Sequence, residues 1–286
     1  LVHIDIIGST KFMVKPIIFI KLGGSAITDK KIPYKVRADV IRRLAREIKQ
    51  ANGKNNLIIS HGAGSFAHTS AAKFGGKKGY KSRIGIATVS SDATRLNQIV
   101  TDIFIDERLP AISLRPMSMI FAESGKLSKH FFCVLEEVLK QGLMPIVYGD
   151  VIWDKKWRST IFSGEKIISE IAIYLKKNKY KILKVIQVGE TNGVYDLEGK
   201  TISQINSSDN SSLEKIFSEN GNADVTGGMK HKVENAILLA QEKIDTVIIN
   251  GLISNALIKT VNGKKVKGTL ISSRKLVSDP LAIKKL

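Results

Sequence analysis

Apolar residues fall into short continuous runs, separated by longer stretches in which they recur every three or four positions. Ile17 to Leu22 is one such run, and Gly23-Gly24-Ser25 ends it, the pattern of a buried parallel strand feeding a turn. From about Val36 to Gln50, Val36, Val40, Leu44 and Ile48 recur every four residues, with Arg42, Arg43, Arg46 and Lys49 off that stripe. The spacing predicts an amphipathic helix. Leu57 to Ser60 predicts a second strand, Gly85 to Glu107 a long helix, and Ala111 to Leu114 a strand. Lys129 to Gln141 reads as a helix and Met144 to Tyr148 as a strand running into Gly149-Asp150. In the second half, Gly164 to Lys176 is a predicted helix, Ile182 to Val188 a strand, Met229 to Lys243 a helix, and Thr246 to Ile249 a strand ending in Asn250-Gly251. The alternation predicts an α/β fold, doubly wound around a mainly parallel sheet. Asn206 to Ser212, rich in Ser, Asn and Asp, reads as a surface loop.

Four of these strands end in glycine-bearing turns. Ligands of open parallel sheets bind outside the carboxyl ends of the strands, so the turns are expected to share one crevice. The turn with most chemistry is His61-Gly62-Ala63-Gly64-Ser65-Phe66-Ala67-His68. Its Gly62-x-Gly64-x-x-Ala67 spacing matches a dinucleotide fingerprint on paper, but that fingerprint wants an acidic residue about 20 positions on. No Asp or Glu occurs between Glu47 and Asp92. What remains is a small-residue turn whose backbone N–H groups can face an anion, and a phosphate is the natural guest. A P-loop, Gly-x-x-x-x-Gly-Lys-Ser/Thr, is absent, so an ATP site has to be assembled from several loops.

Lysines supply the charge that such a loop lacks. Lys21 sits at the end of the first strand, where burial calls for an anion to offset desolvation. Lys30 follows in a polar turn. Thr226-Gly227-Gly228-Met229-Lys230-His231-Lys232 places further cations at a helix start, an unfavourable position unless an anion binds there. Each alone reads more readily as a solvated lysine. Together they suit phosphoryl transfer, which needs positive charge and backbone donors around the moving group more than covalent help.

Composition narrows the partners. Among 286 residues, 45 basic against 26 acidic give a formal charge of +19, which favours anionic partners. The basic residues are scattered and aromatics are only 6%, so a basic surface is expected rather than a nucleic-acid groove. No apolar run reaches the roughly 18 to 20 residues of a membrane span. The single cysteine, Cys133, lies at the apolar start of a predicted helix without an activating neighbour, and a reducing cytoplasmic setting fits. Residues 1–15 are read as an extension or remnant, because Met13 resembles a natural start. Residues 16–286 are read as one domain, with an acceptor lobe over about 16–180 and a nucleotide lobe over about 181–286.

Four ordered motifs carry a resemblance: Lys21-Leu22-Gly23-Gly24-Ser25, the loop His61 to His68, Val147-Tyr148-Gly149-Asp150-Val151, and Asp224 to Met229 with Lys232. Over about Ile17 to Ile271 the chain resembles the archaeal-type isopentenyl phosphate kinases of the amino acid kinase superfamily. The resemblance implies an αβα sandwich, a homodimer, and conversion of isopentenyl phosphate and MgATP to isopentenyl diphosphate and ADP in an alternative mevalonate pathway. By matching position, Lys21 and Lys232 would hold the ATP phosphates, and Gly23, Gly24, Ser25, Gly64 and Gly228 would line the nucleotide. Lys30 would stabilise the transferring phosphoryl group, and His68 would donate to the acceptor phosphate. Ala63, Gly149 and Asp150 would complete the acceptor pocket, with Ile84, Ile86 and Val89 along the isopentenyl tail. No protein ligand is implied for Mg²⁺, which would ride on ATP oxygens and water.

Three positions depart from the family pattern. Ala67 stands where glycine is common, which a negative φ tolerates. Glu165 replaces the aspartate that organises the ATP-facing lysines. Val188-Gly189-Glu190-Thr191-Asn192-Gly193-Val194-Tyr195 departs from Thr-Asp-Val-Asp-Gly-Val-Tyr, so no base-contacting residue is assigned. A fosfomycin-kinase-like enzyme shares the glycine loop and its histidine and is the alternative within the superfamily. A nucleic-acid-binding protein is the alternative from another class.

Overall fold

The computed structural model describes residues 15–51, 53–76, 78–80, 82–208 and 228–274. The expected extension, Thr226-Gly227 and most of the Asn206 to Ser212 loop lie outside them.

Eight strands form the main sheet: β1 (Ile17–Leu22), β2 (Asn56–His61), β3 (Ala111–Ser113), β6 (Met144–Tyr148), β9 (Ile182–Gly189), β10 (Gln204–Asn206), β11 (Thr246–Asn250) and β12 (Gly268–Ser272). Their order is β10-β12-β11-β9-β1-β2-β6-β3, parallel throughout except where β12 runs antiparallel to β11. β1 lies at the centre, and all six of its residues are buried, as a strand covered on both faces requires.

Alternate residues of the central strands feed two cores. On one face Ile18, Ile20 and Leu22 pack against α2 (Ala38–Ala51), α4 (Arg83–Asp106) and α9 (Ala256–Val261). On the other, Ile17 and Phe19 pack against α6 (Cys133–Lys140), α7 (Gly164–Lys177) and Leu239 of α8 (Gly228–Gln241). The result is an αβα sandwich. α2 is tied to the start of α9 by the buried Glu47, whose carboxylate accepts from the backbone N–H groups of Asn255, Leu257 and Ile258. A carboxylate is favourable against that positive helix end.

Two differences from the expected elements stand out. Lys126–His130 is a strand, β5, so the helix expected from Lys129 begins only at Cys133. β5 pairs with β4 (Ile120–Glu123) in a second sheet of order β5-β4-β7-β8, with β7 (Asp150–Asp154) and β8 (Arg158–Phe162) forming a hairpin. Cys133 is exposed rather than set in apolar surroundings, because Phe132 and Leu135 turn inward at that helix start and the thiol turns out. Among the described residues no helix is long and apolar enough to cross a membrane.

Candidate active site

The turns after β1 and β2 are pressed together. A Cβ on Gly24 would lie 2.7 Å from the Gly64 nitrogen and 2.8 Å from its Cα, and one on Gly62 would lie 3.0 Å from the Gly24 nitrogen. Only glycines allow two backbones this close. Gly64, which opens α3 (Gly64–Phe74), also has φ +52°. Thr28, just beyond α1 (Gly24–Ile27), stitches the turns: its hydroxyl donates to the Gly24 carbonyl oxygen at 2.7 Å and accepts from the Ser65 N–H at 2.9 Å. One loop N–H expected to face an anion is therefore taken. The buried Ser65 hydroxyl has no hydrogen-bond partner among the described residues. Gly23 closes onto β9, its N–H donating to the Val188 carbonyl oxygen at 2.7 Å.

Lys21 ends β1 with its side chain 3% exposed and forms an ion pair with Glu165 in the first turn of α7. Burial works against the Glu165 charge, but the Lys21 charge and hydrogen bond, with Lys232 behind them, outweigh it and hold the carboxyl below its ordinary range. Lys232 is half-buried on α8, and a Cβ on Gly189 would lie 3.2 Å from its ammonium nitrogen. Two lysines from opposite ends of the chain thus flank one carboxylate. The carboxylate of Glu165, one methylene longer than aspartate, reaches Lys21.

Lys30 and His68 lie within electrostatic reach of each other and of the Lys21–Glu165 pair. Both are exposed, yet enough protein surrounds the His68 ring for desolvation to pull its pKa below the ordinary histidine value. Lys30 and Lys21 push the same way and Glu165 partly opposes. The ring is neutral near pH 7 and can donate one N–H. His61, by contrast, is wholly buried: Nδ1 lies 3.0 Å from the Gly62 carbonyl oxygen and Nε2 3.1 Å from Asn97 Oδ1. Burial lowers its pKa to about 4.

Beside α3 lies a small apolar cluster of Ala67, Tyr80, Val89, Ala93, Tyr148 and Val151, with Ala63 and Ile86 at its edge. Ala67 is helical and outside the positive-φ set, so its methyl group is accommodated. Ile84 does not join the cluster. It is 64% exposed and shares the wet stripe of α4 with Ala87, Ser91 and Arg95. Gly149 donates to the His61 carbonyl oxygen at 3.0 Å. Asp150 is buried and accepts from the Ser90 hydroxyl and the Val151 N–H, each at 2.7 Å, with Arg115 Nε 3.8 Å from its other oxygen. Desolvation nonetheless raises its pKa to about 6. Ser25 is half-buried in α1. Among the described residues, no atom lies within 4 Å of a Cβ built on Gly228, which begins α8.

Sequence reasoning missed Thr28, Ser90, Asn97 and Arg115. Asn97 had a signal, a polar residue on the buried α4 face that carries Ala93, Leu96 and Val100. Thr28 had none, because its role exists only once two distant turns meet.

Glycine turns pressed together at the carboxyl edge of this sandwich, with lysines brought in from separate segments, suit a phosphotransferase of one fold class, and residues 16–250 match the amino acid kinase family. The chain belongs to that family. Within it, the chain is 31% identical over 271 residues to an isopentenyl phosphate kinase of Methanothermobacter thermautotrophicus, covering 90% of this chain and 99% of the relative. It is also 31% identical to one from Methanocaldococcus jannaschii, covering 88% and 97%. A solved isopentenyl phosphate kinase structure superposes with TM-score 0.75 at 27% identity, covering 89% of this chain and all of that one.

Proposed function

We propose that the chain transfers the γ-phosphoryl group of ATP to isopentenyl phosphate, giving isopentenyl diphosphate and ADP. The observation that carries this reading is the grouping of His68 and Lys30 beside the Lys21–Glu165 pair, with charges close enough to shift the His68 proton. The similarity to isopentenyl phosphate kinases over nearly the whole chain supports the acceptor. An oxygen of the acceptor phosphate attacks the γ-phosphorus, a new P–O bond forms, and the bond to the β–γ bridging oxygen breaks as ADP leaves. The attacking oxygen is already anionic, so no general base is needed. The protein supplies alignment and charge.

Lys21 and Lys232 take the ATP phosphates, and Lys30 meets the charge on the moving group. Gly23, Gly24, Ser25, Gly64 and Gly228 form the nucleotide wall. The neutral His68 ring donates to the acceptor phosphate between Ala63 and Gly149. Asp150, turned into Ser90, shapes that pocket, while Val89 and Ile86 border the apolar slot for the tail. Among the described residues no group of three or more His, Cys, Asp or Glu gathers to hold a metal. Glu165 is engaged by Lys21, so Mg²⁺ is read as arriving on ATP oxygens and water. A homodimer acting in the cytoplasm, in an alternative mevalonate pathway, belongs to the same reading.

The test is incubation with MgATP and a panel of isopentenyl phosphate, dimethylallyl phosphate, geranyl phosphate and fosfomycin. Diphosphate formed from isopentenyl phosphate is the expected result. Turnover of fosfomycin alone would replace this reading with the phosphonate kinase.

A further inference from the structure

The nucleotide side of the crevice holds a buried polar group that the reading above leaves unused. β9 is apolar where it crosses the sheet, with Val185, Ile186 and Val188 fully buried, yet Gln187 stands among them at 1% exposure. A buried hydrogen-bonding group left unmatched there lowers stability. Gln187 is matched on one side only. Its Nε2 donates to the Lys232 carbonyl oxygen at 3.4 Å, while Oε1 is buried with no partner among the described residues. A carbonyl can only accept, which fixes the amide with its nitrogen toward Lys232.

The strand register explains what this contact holds. Gln187 lies beside Lys21, which lies beside Ser60, and residues in register on parallel neighbours share one face of the sheet. The row Ser60, Lys21, Gln187 therefore crosses three strands near their carboxyl ends, and each member ties down a helix. Ser60 donates to the Gly164 carbonyl oxygen at 3.2 Å, Lys21 pairs with Glu165, and Gln187 holds the main chain of Lys232.

Building on the phosphotransfer reading, we propose that Gln187 is a positioning residue for the nucleotide. It seats the first turns of α8 against the sheet, so that the Lys232 ammonium stands beside Gly189 and in line with Lys21. The unmatched carbonyl oxygen is the stability cost of that role. A leucine or methionine would fill the same space and remove the cost, but would release the Lys232 backbone.

Gln187→Leu and Gln187→Met in the full chain test this by thermal unfolding, calorimetric titration with MgATP and steady-state kinetics. The variants should unfold at the wild-type temperature or above it, while binding MgATP about tenfold more weakly, since alignment of the phosphate-side cations is lost. The KM for isopentenyl phosphate should stay within about twofold, because that contact lies elsewhere. Unchanged MgATP affinity in either folded variant would overturn the proposal. So would lowered stability at unchanged affinity, an equal loss in acceptor KM, or failure of both variants to fold, each of which assigns the amide elsewhere. The nucleotide titration needs no acceptor, so a wild-type protein that binds MgATP but leaves isopentenyl phosphate untouched overturns only the acceptor assignment.

Discussion

Lys21 and Glu165, 144 residues apart in sequence, meet in an ion pair whose side chains are 3% and 12% exposed. It joins the end of the central strand to the start of α7, where the proposed reaction would bring the ATP phosphates. Before the nucleotide binds, the carboxylate balances the buried ammonium and keeps it aimed. Once phosphates enter, the lysine has a second anion within reach and needs little reorganisation.

Removing the carboxylate should therefore cost fold as well as activity. Glu165→Gln leaves the Lys21 ammonium buried without its counter-charge, a loss of about 3–5 kcal/mol by analogy with other broken buried pairs. Urea unfolding at pH 7 measures it. The sign with pH follows from the lowered carboxyl pKa. The wild-type pair contributes fully above the ordinary carboxyl range and loses that contribution as pH falls through the depressed native value. The difference between wild type and Glu165→Gln should thus shrink in acid; a constant difference would contradict the pairing.

Gly24→Ala should separate the two phosphate turns. The added Cβ meets backbone at 2.7 and 2.8 Å, and backbone cannot swing aside as a side-chain tip can. We expect MgATP affinity to fall at least about tenfold, because a displacement near 1 Å misplaces the donors. Titration with MgATP, with circular dichroism to confirm the fold, checks this. Wild-type affinity would show that the close packing of the turns is not needed.

Much of this frame was legible beforehand, and the gaps have physical causes. The central strands announced themselves because both faces are covered, giving continuous apolar runs such as Ile17 to Leu22. The small sheet did not. In β4 the inward residues are Ile120 and Ala122, with Phe121 and Glu123 outward, a two-residue period too short to stand out. β5, Lys-Leu-Ser-Lys-His, is half-exposed and carries almost no apolar signal, so Phe131, Phe132 and Leu135 drew the predicted helix four residues too early. In the site, glycine and lysine motifs pointed at the crevice because their chemistry is local. Thr28 and Gln187 were invisible because each acts by joining segments that only the fold brings together.

His61 and Asp150 carry opposite pH dependences that single variants can separate. Buried neutral His61 titrates near 4 against an ordinary value near 6.5. The unfolded chain gains a proton first as pH falls, so the His61 contribution to stability should drop by about 3 kcal/mol between pH 6.5 and 4. Asp150 titrates near 6 against an ordinary value of 3.8, so its carboxylate opposes folding increasingly as pH rises from 4 to 6. His61→Gln should flatten the acid loss, and Asp150→Asn should raise stability at pH 7 by up to about 3 kcal/mol. Denaturant midpoints from pH 4 to 8 test both. A histidine variant that keeps the wild-type acid loss would show that His61 is not its source.

His68→Ala isolates the acceptor side. The side chain is exposed, so its loss should change stability by no more than about 0.5 kcal/mol. The ring is held neutral by partial desolvation and by the Lys30 and Lys21 charges, which leaves it an N–H donor at pH 7 rather than a third cation. A preorganised donor to the acceptor phosphate, if it strengthens as charge shifts during transfer, contributes on the order of 10²–10³ in rate. We expect kcat/KM for isopentenyl phosphate to fall by about that factor, with MgATP affinity unchanged. His68→Gln, which retains an N–H donor, should recover part of the loss, whereas a purely electrostatic or packing role would leave Gln and Ala alike. Full activity in His68→Ala would remove the histidine from the reaction.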